Sequence, residues 1–439
     1  MTKTITSPID AISDSWSEVG WSDYPESSPR WFDHVLMTLV VWLFAGNPLA
    51  AGNVYRVGTP IVAIILLFIV LLRGASISKR QILVISVFVM LFAIQAIATD
   101  NFTLLTTAGF FARIMIALGS AILIRNFARA FIEVMFWTAV VSLPIYAVLI
   151  ITQGGIVSFI QQYSIPMPDP DILVYYFSHL HVTQNNAYFW EPGVYGGYLI
   201  LAIVFLGACK TQYTDRRYKM ILFALLITLA TTMSTGGYVT ILFASLYHTK
   251  AFGKHAMIRI ILMFVGVLGV VYIFESATFL GDKISRQFAM VEAQRRDWQL
   301  TRLGSILSDW TQIKVHPLIG WGPNPAERYG FVSQEILNGE GNGLSNFAAQ
   351  FGSIGLSVFL LATWNGFKSL FAQREKAATL ALIIVLLVLN DECFLNFPLF
   401  MALMFFRGPE RALPLHDRAQ SEFAARGRHA ALGAVSPFQ

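Results

Sequence analysis

The sequence predicts an all-α polytopic membrane protein, and three features lead there. Of 439 residues, 55% are hydrophobic and only 13% charged, against about a quarter charged in a soluble domain. The apolar runs are roughly 15–24 residues long, the length a helix needs to cross a bilayer and too long for barrel strands. Short polar stretches separate them, and their cations cluster on alternate connections.

Residues 1–31 hold Asp10, Asp14, Glu18, Asp23 and Glu26 among serines and prolines. No basic region feeds a short apolar core there, so the stretch reads as a cytoplasmic leader and not as a cleaved signal peptide. Apolar segments follow at about 32–50, 57–72, 81–99, 102–124, 130–152, 193–209, 220–233, 238–249, 257–275, 344–364, 377–390 and 393–406, which is about 12 transmembrane helices by length and pattern. The transmembrane domain is thus 32–406, with a tail over 407–439. An even number of spans puts both termini on one side.

Arg73, Lys79 and Arg80 share one connection; Arg125 and Arg129 another; Lys210, Arg216, Arg217 and Lys219 a third; Lys250, Lys254 and Arg259 a fourth; Lys368, Arg374 and Lys376 a fifth. All five fall on the same face, which the positive-inside rule makes cytoplasmic. Two long loops, 153–190 and 276–343, then face outward, beyond the reach of nucleotide cofactors. The net charge of +5 is a topology signal, and no nucleic-acid motif accompanies it. Cys209 and Cys393 fall at opposite faces and cannot form a disulfide.

The residues with chemical potential lie on that outer side. At Tyr188-Phe189-Trp190-Glu191-Pro192-Gly193-Val194-Tyr195-Gly196-Gly197-Tyr198 a polar loop turns into an apolar helix. Proline suits the first helical turn, and an acid there meets the positive end of the helix dipole. Helix capping is one account of Glu191. The other is functional, because Trp190, Tyr195 and their aromatic neighbours around one acid make a platform for sugar rings. Ser234-Thr235-Gly236-Gly237 joins two short spans, either as a tight hairpin or as an anion-binding nest of amides.

Residues 297–315 read as an amphipathic helix with Trp298, Ile306, Trp310 and Ile313 on one stripe, and with Arg302 and Arg295 on the same face. A guanidinium on such a face either snorkels over Trp298 or grips a carboxylate or phosphate bidentately. The helix ends at His316-Pro317-Leu318-Ile319-Gly320-Trp321-Gly322, and Asn342 to Gly355 leads back into the membrane with Asn346 near its mouth. Arg113 lies within a span, where a charge needs an interior partner or a lipid phosphate. Asp169 and Asp171, and His179 and His181, lack the further ligands of a metal site, so no metal is expected.

Together Glu191-Pro192-Gly193, the Ser-x-Gly hairpin at 234–236, Arg302 followed by His316-Pro317-Leu318-x-Gly-x-Gly, and Asn346 ahead of Gly352 and Gly355 resemble the O-antigen polymerase and O-antigen ligase superfamily, over about residues 185–365. The resemblance implies a GT-C-like glycosyltransferase architecture. It also implies cofactor-free, metal-independent, inverting glycosyl transfer at the periplasmic face of the bacterial inner membrane, on oligosaccharides carried by undecaprenyl pyrophosphate. Chain-length regulator and flippase partners go with it, and the product is O-antigen, lipopolysaccharide or exopolysaccharide. Ligases of the superfamily resemble one another in a His-Asn pair where this chain has Ser345-Asn346, which favours the polymerase branch. Many members have an arginine where Thr235 stands.

On that reading catalysis needs cations for the departing pyrophosphate and a base for the acceptor hydroxyl. Arg302, Arg295 and Arg286 are candidates for the first, and Glu191 or His316 for the second. Arg113, Ser234, Gly236, Trp190, Tyr195 and Asn346 are candidates for holding substrate. A ligase with another acceptor and a transporter of lipid-linked oligosaccharide remain the alternatives. A transporter should carry ionisable groups along several spans and show repeat symmetry, and neither is present in the sequence.

Overall fold

A computed structural model describes residues 29–46, 52–98, 103–152, 155–161, 171–172, 174–177, 183–234, 236–238, 240, 302–322, 342–372, 374–390, 392 and 394–406. The expected span at 257–275, Arg286, Arg295, Trp298, Thr235 and both tails lie outside these residues.

The helices are α1 (Trp31–Leu43), α2 (Gly52–Leu72), α3 (Lys79–Ala98), α4 (Leu104–Leu123), α5 (Phe127–Ile151), the short α6 (Gly155–Gln161), α7 (Pro192–Ala208), α8 (Asp215–Thr231), α9 (Arg302–Ile313), α10 (Gly343–Leu370), α11 (Glu375–Leu389) and α12 (Pro398–Ala402). A two-residue hairpin, β1 (Asp171–Ile172) with β2 (Tyr175–Tyr176), pairs antiparallel in the connection between α6 and α7. Five helices among the described residues are long and apolar enough to cross a bilayer: Tyr55–Leu72 within α2, and α3, α4, α5 and α10. Two shorter apolar helices, α1 and α7, join them. The chain is therefore an all-α protein suited to a membrane.

α7 is the hub. Its sequence is apolar on every side, and a helix without a polar stripe belongs inside. All but one of its 17 residues are buried, between α5, α8 and α11. Around it α2 packs on α4, α5 on α1 and α8, and α10 on α3, α9 and α11. Phenylalanines cement the α3–α4–α10 seam, with Phe110 and Phe351 centroids 4.7 Å apart and Phe88 edge-on to Phe351 at 5.6 Å.

The apolar run 393–406 departs from its expected form as a span. It is a 3₁₀ turn (Phe394–Asn396), then α12, then a second 3₁₀ turn (Leu403–Phe405), with Phe394 to Phe405 largely buried in the bundle. Irregular backbone at membrane depth must find partners within the protein. Arg80 donates to Met404 O at 3.0 Å and to Ala362 O at 2.6 Å, and Gln81 donates to Phe405 O at 2.8 Å. At the other end Arg113 reaches Asn396 O in a long 3.5 Å contact and Gly109 O at 3.3 Å. The expected interior partner of Arg113 is thus backbone carbonyl.

Candidate functional site

The threshold of α7 is fixed from the loop side by two asparagines that nothing in their spacing singled out. Asn185 is fully buried, and its backbone N–H donates to Thr231 O at 2.9 Å. Its side chain donates to Ser142 Oγ at 3.3 Å and Thr231 Oγ1 at 3.0 Å, tying the loop to α5 and α8. Asn186 donates to Phe189 O at 2.9 Å and closes the turn. Tyr188, Phe189 and Tyr195 then stack, with centroids 4.8 and 5.0 Å apart.

Tyr195 does not form an open platform. It is fully buried, its hydroxyl 3.1 Å from Ser142 Oγ, and it is the wall behind the threshold. Tyr188 meets Thr138 Oγ1 at 3.2 Å, and burial pushes its phenol up to about 12 against the opposing pull of that hydrogen bond. It therefore remains protonated at physiological pH. Trp190 is the exposed aromatic, 40% accessible, held through its amide by Ala45 O at 3.2 Å.

Glu191 stands at the N-terminus of α7 in extended conformation, φ −143° and ψ 142°. Its carbonyl accepts from Tyr195 N, but its carboxylate does not cap the helix. Capping is therefore not what occupies this acid. The residue is partly buried, and its carboxylate has no hydrogen-bond or ion-pair partner among the described residues.

One turn into α7, the hairpin of 232–238 comes up against the helix, where a β-carbon at Gly196 would lie 3.6 Å from Ser234 Cβ. Ser234 is buried and its Oγ accepts from Gly237 N at 3.3 Å, so it caps the helical turn that holds Gly236. The left-handed residue here is Met233, φ 50°, not a glycine. The amides of Ser234 and Gly237 are engaged locally, by Thr232 Oγ1 at 3.4 Å and Ser234 Oγ, while Thr235 and residues 241–249 lie outside the described residues.

The second half of the site is built by an exchange of backbone hydrogen bonds. α10 breaks at Gly352, φ 63° and ψ −172°. A regular helix would bond Ser353 N to Ala349 O and Ile354 N to Gln350 O. Instead Ser353 N donates to Pro317 O at 2.8 Å and Ile354 N to Leu318 O at 3.1 Å, while Ala349 O and Gln350 O each accept at 2.9 Å from Trp321 N and Gly322 N. Gln95 of α3 clasps both partners, donating to Ile319 O at 2.5 Å and Gln350 O at 2.8 Å. Gly320, φ 71°, and Gly352 pass so closely that a β-carbon on either would overlap the other strand's backbone. The His-Pro-Leu-Ile-Gly-Trp-Gly stretch is the missing half of a broken helix. His316 is half-buried beside it, edge-on to Trp321 at 4.4 Å.

α9 turns an unexpected face inward. Trp310 of the apolar stripe is 56% exposed, whereas Ser305, Ser308, Asp309 and Gln312 are buried, on the side that packs against α10. The polar face goes in because the mouth of α10 is itself polar. Asp309 accepts from Ser345 Oγ at 2.6 Å, and Asn342 caps the helix by accepting from Ser345 N at 2.9 Å. Asn346, 1% exposed, accepts from Gln350 at 2.7 Å. Asp309 is legible in the sequence as the acid two turns beyond Arg302 on the same helix, and it is buried where the apolar stripe's Trp310 is exposed. Arg302 opens α9, and its side chain lies outside the described residues.

Glu392 and Phe394 join the halves. The Phe394 ring covers Gly197 of α7 so tightly that a β-carbon there would overlap it, and Tyr198 lies 6.2 Å from it. Two residues earlier, Glu392 O abuts Gly343 at the start of α10. The thresholds of α7 and α10 are therefore neighbours across these two residues. No protein-family model, curated protein or solved structure matches the chain.

Proposed function

We propose that this protein is a polytopic enzyme of the inner membrane, with both termini cytoplasmic, about twelve spans and a GT-C-like architecture. It polymerises undecaprenyl-pyrophosphate-linked repeat units into O-antigen or exopolysaccharide on the periplasmic face. The observation that carries the reading is a chain of close approaches between stretches far apart in sequence: 232–238 against Gly196, Phe394 against Gly197, Glu392 against Gly343, and 317–322 against 349–354. Within that cluster Glu191 is an acid with no structural partner among the described residues.

In this reading Glu191 takes the acceptor's proton as the glycosidic bond forms, with His316 as the alternative base. Arg302, at the head of α9, stabilises the departing pyrophosphate, aided by Arg295 and Arg286. Trp190 is the exposed ring against which a sugar stacks. No metal or cofactor takes part.

The test is the glycan made by a deletion strain. Loss of a polymerase leaves single repeats on the outer acceptor; loss of a transporter leaves none outside, and that outcome overturns the proposal. Turnover of purified lipid-linked repeats tests Arg302 directly. An ammonium cannot reproduce the planar fork, so Arg302→Lys should lose most activity and Arg302→Ala about 10²–10³-fold. An active Arg302→Lys enzyme removes Arg302 from the pyrophosphate site.

A further inference from the structure

A groove of about 630 Å³ runs between α1 and α5 and reaches Tyr188, of the loop before Glu191, at one end. One wall is the i, i+4, i+8 stripe His34, Thr38, Trp42, and the other includes Trp137, which is 56% exposed, with Tyr188 at the far end. The charged end holds Arg129 and Glu133. Glu133 is already neutralised, its carboxylate 2.7 Å from Arg217 Nη2.

Arg129 is differently placed. Its guanidinium lies 5.2 Å from the Tyr213 ring, its Nε is buried with no hydrogen-bond acceptor, and it has no acidic partner among the described residues. A guanidinium lining the end of an apolar groove, with no acidic partner among the described residues, suits an anion there. From Arg129 to Val141 the groove follows α5 for about 18 Å, close to the depth of one leaflet of a ~30 Å hydrocarbon core.

We infer that the groove between α1 and α5 binds an anionic phospholipid, with its phosphate on Arg129 and one acyl chain along the Thr38, Trp42 and Trp137 wall. This lipid is a resident of the fold and not the glycan carrier, so the inference stands apart from the proposed reaction.

The probe is the full-length protein reconstituted in vesicles of equal phosphatidylglycerol and phosphatidylcholine, extracted, and weighed by native mass spectrometry. One retained phosphatidylglycerol is expected, favoured about fivefold over phosphatidylcholine, as about 1 kcal/mol for one basic residue implies. Arg129→Gln should lose the preference, and Arg125→Gln, at an exposed site, should keep it. Thr38 is exposed, so Thr38→Trp should fold yet fill the groove and lose the lipid altogether, which keeps the test decisive if Arg129→Gln fails to fold. Equal retention of the two lipids by the wild type, or an undiminished preference in Arg129→Gln, overturns the proposal. So does undecaprenyl phosphate displacing phosphatidylglycerol from the wild type but not binding Thr38→Trp, because the groove would then belong to the glycan carrier.

Discussion

The thresholds of α7 and α10 are built from the same parts and use them differently. Each is a polar loop turning into an apolar helix, beside Phe394 and Glu392 respectively. At α10 the polar groups are committed: Asn342 caps, Ser345 donates to Asp309, and Gln350 donates to Asn346. At α7 the loop is anchored by Asn185 and by the stacked Tyr188, Phe189 and Tyr195, and the carboxylate of Glu191 has no hydrogen-bond or ion-pair partner among the described residues. Buried polar groups that satisfy one another hold a shape, whereas a partly buried acid with no partner is available for chemistry. The α10 threshold is scaffold, and the α7 threshold is where the proposed reacting group stands.

Glu191→Gln tests this contrast most sharply. The substitution keeps size and hydrogen bonding and removes the charge, so glycan polymerisation should fall by about 10²–10⁴-fold, the usual worth of a positioned general base. Thermal stability should move by less than about 0.5 kcal/mol, as for a residue without structural partners. Normal chain elongation by the Gln variant, read from product length on gels, would assign the acid no role in transfer.

Gly352→Ala attacks the scaffold side. It places a β-carbon in the left-handed region and against Leu318 O, so it should destabilise the fold by more than about 3 kcal/mol and lower the amount of protein recovered in detergent. Gly320→Ala should match it, because the two residues form one crossing. A well-behaved Gly352→Ala protein with unchanged melting would mean that the backbone exchange contributes little.

Ser345→Ala removes one donor from the buried carboxylate of Asp309 and should cost about 1.5–3 kcal/mol. Its activity, measured on the remaining folded protein, should fall no further than its stability accounts for. A specific loss of turnover in a stable Ser345→Ala protein would move chemistry to the α10 threshold and reverse the contrast.

Tyr195→Phe is the mildest. It leaves the stack intact and deletes one hydroxyl from its contact with Ser142, a change of about 1 kcal/mol in denaturant unfolding with little effect on activity. Trp190→Ala should do the opposite, sparing stability while weakening the use of sugar substrate. Equal behaviour of the two variants would show that the aromatic cluster is not divided into wall and platform.

The contrast between the two thresholds also marks how far the sequence could be read. Helix boundaries at α7 followed from Pro192 at N1 and an unbroken apolar run, and they agree with the structure within a residue or two. The Ser234 hairpin and the polar mouth of α10 were visible as local chemistry. Local chemistry did not show which polar groups were already engaged. Asp309 and Ser345 are 36 residues apart, and Asn185 is 43 residues from Ser142.

By itself the sequence determined the all-helical membrane class and most helix positions, because a chain in lipid must satisfy each backbone group within its own segment and so declares its spans by length and apolarity. Only the tertiary structure decided where that rule is suspended. The run 393–406 is as apolar as a span, yet it is interrupted at Phe397 before Pro398, and Arg113 at Asn396 O and Arg80 and Gln81 at Met404 O and Phe405 O supply partners for its carbonyls. α10 likewise opens at Gly352 because residues 317–322 return the hydrogen bonds it gives up. The same dependence on distant neighbours turned the polar face of α9 inward and left Glu191 without a partner among the described residues.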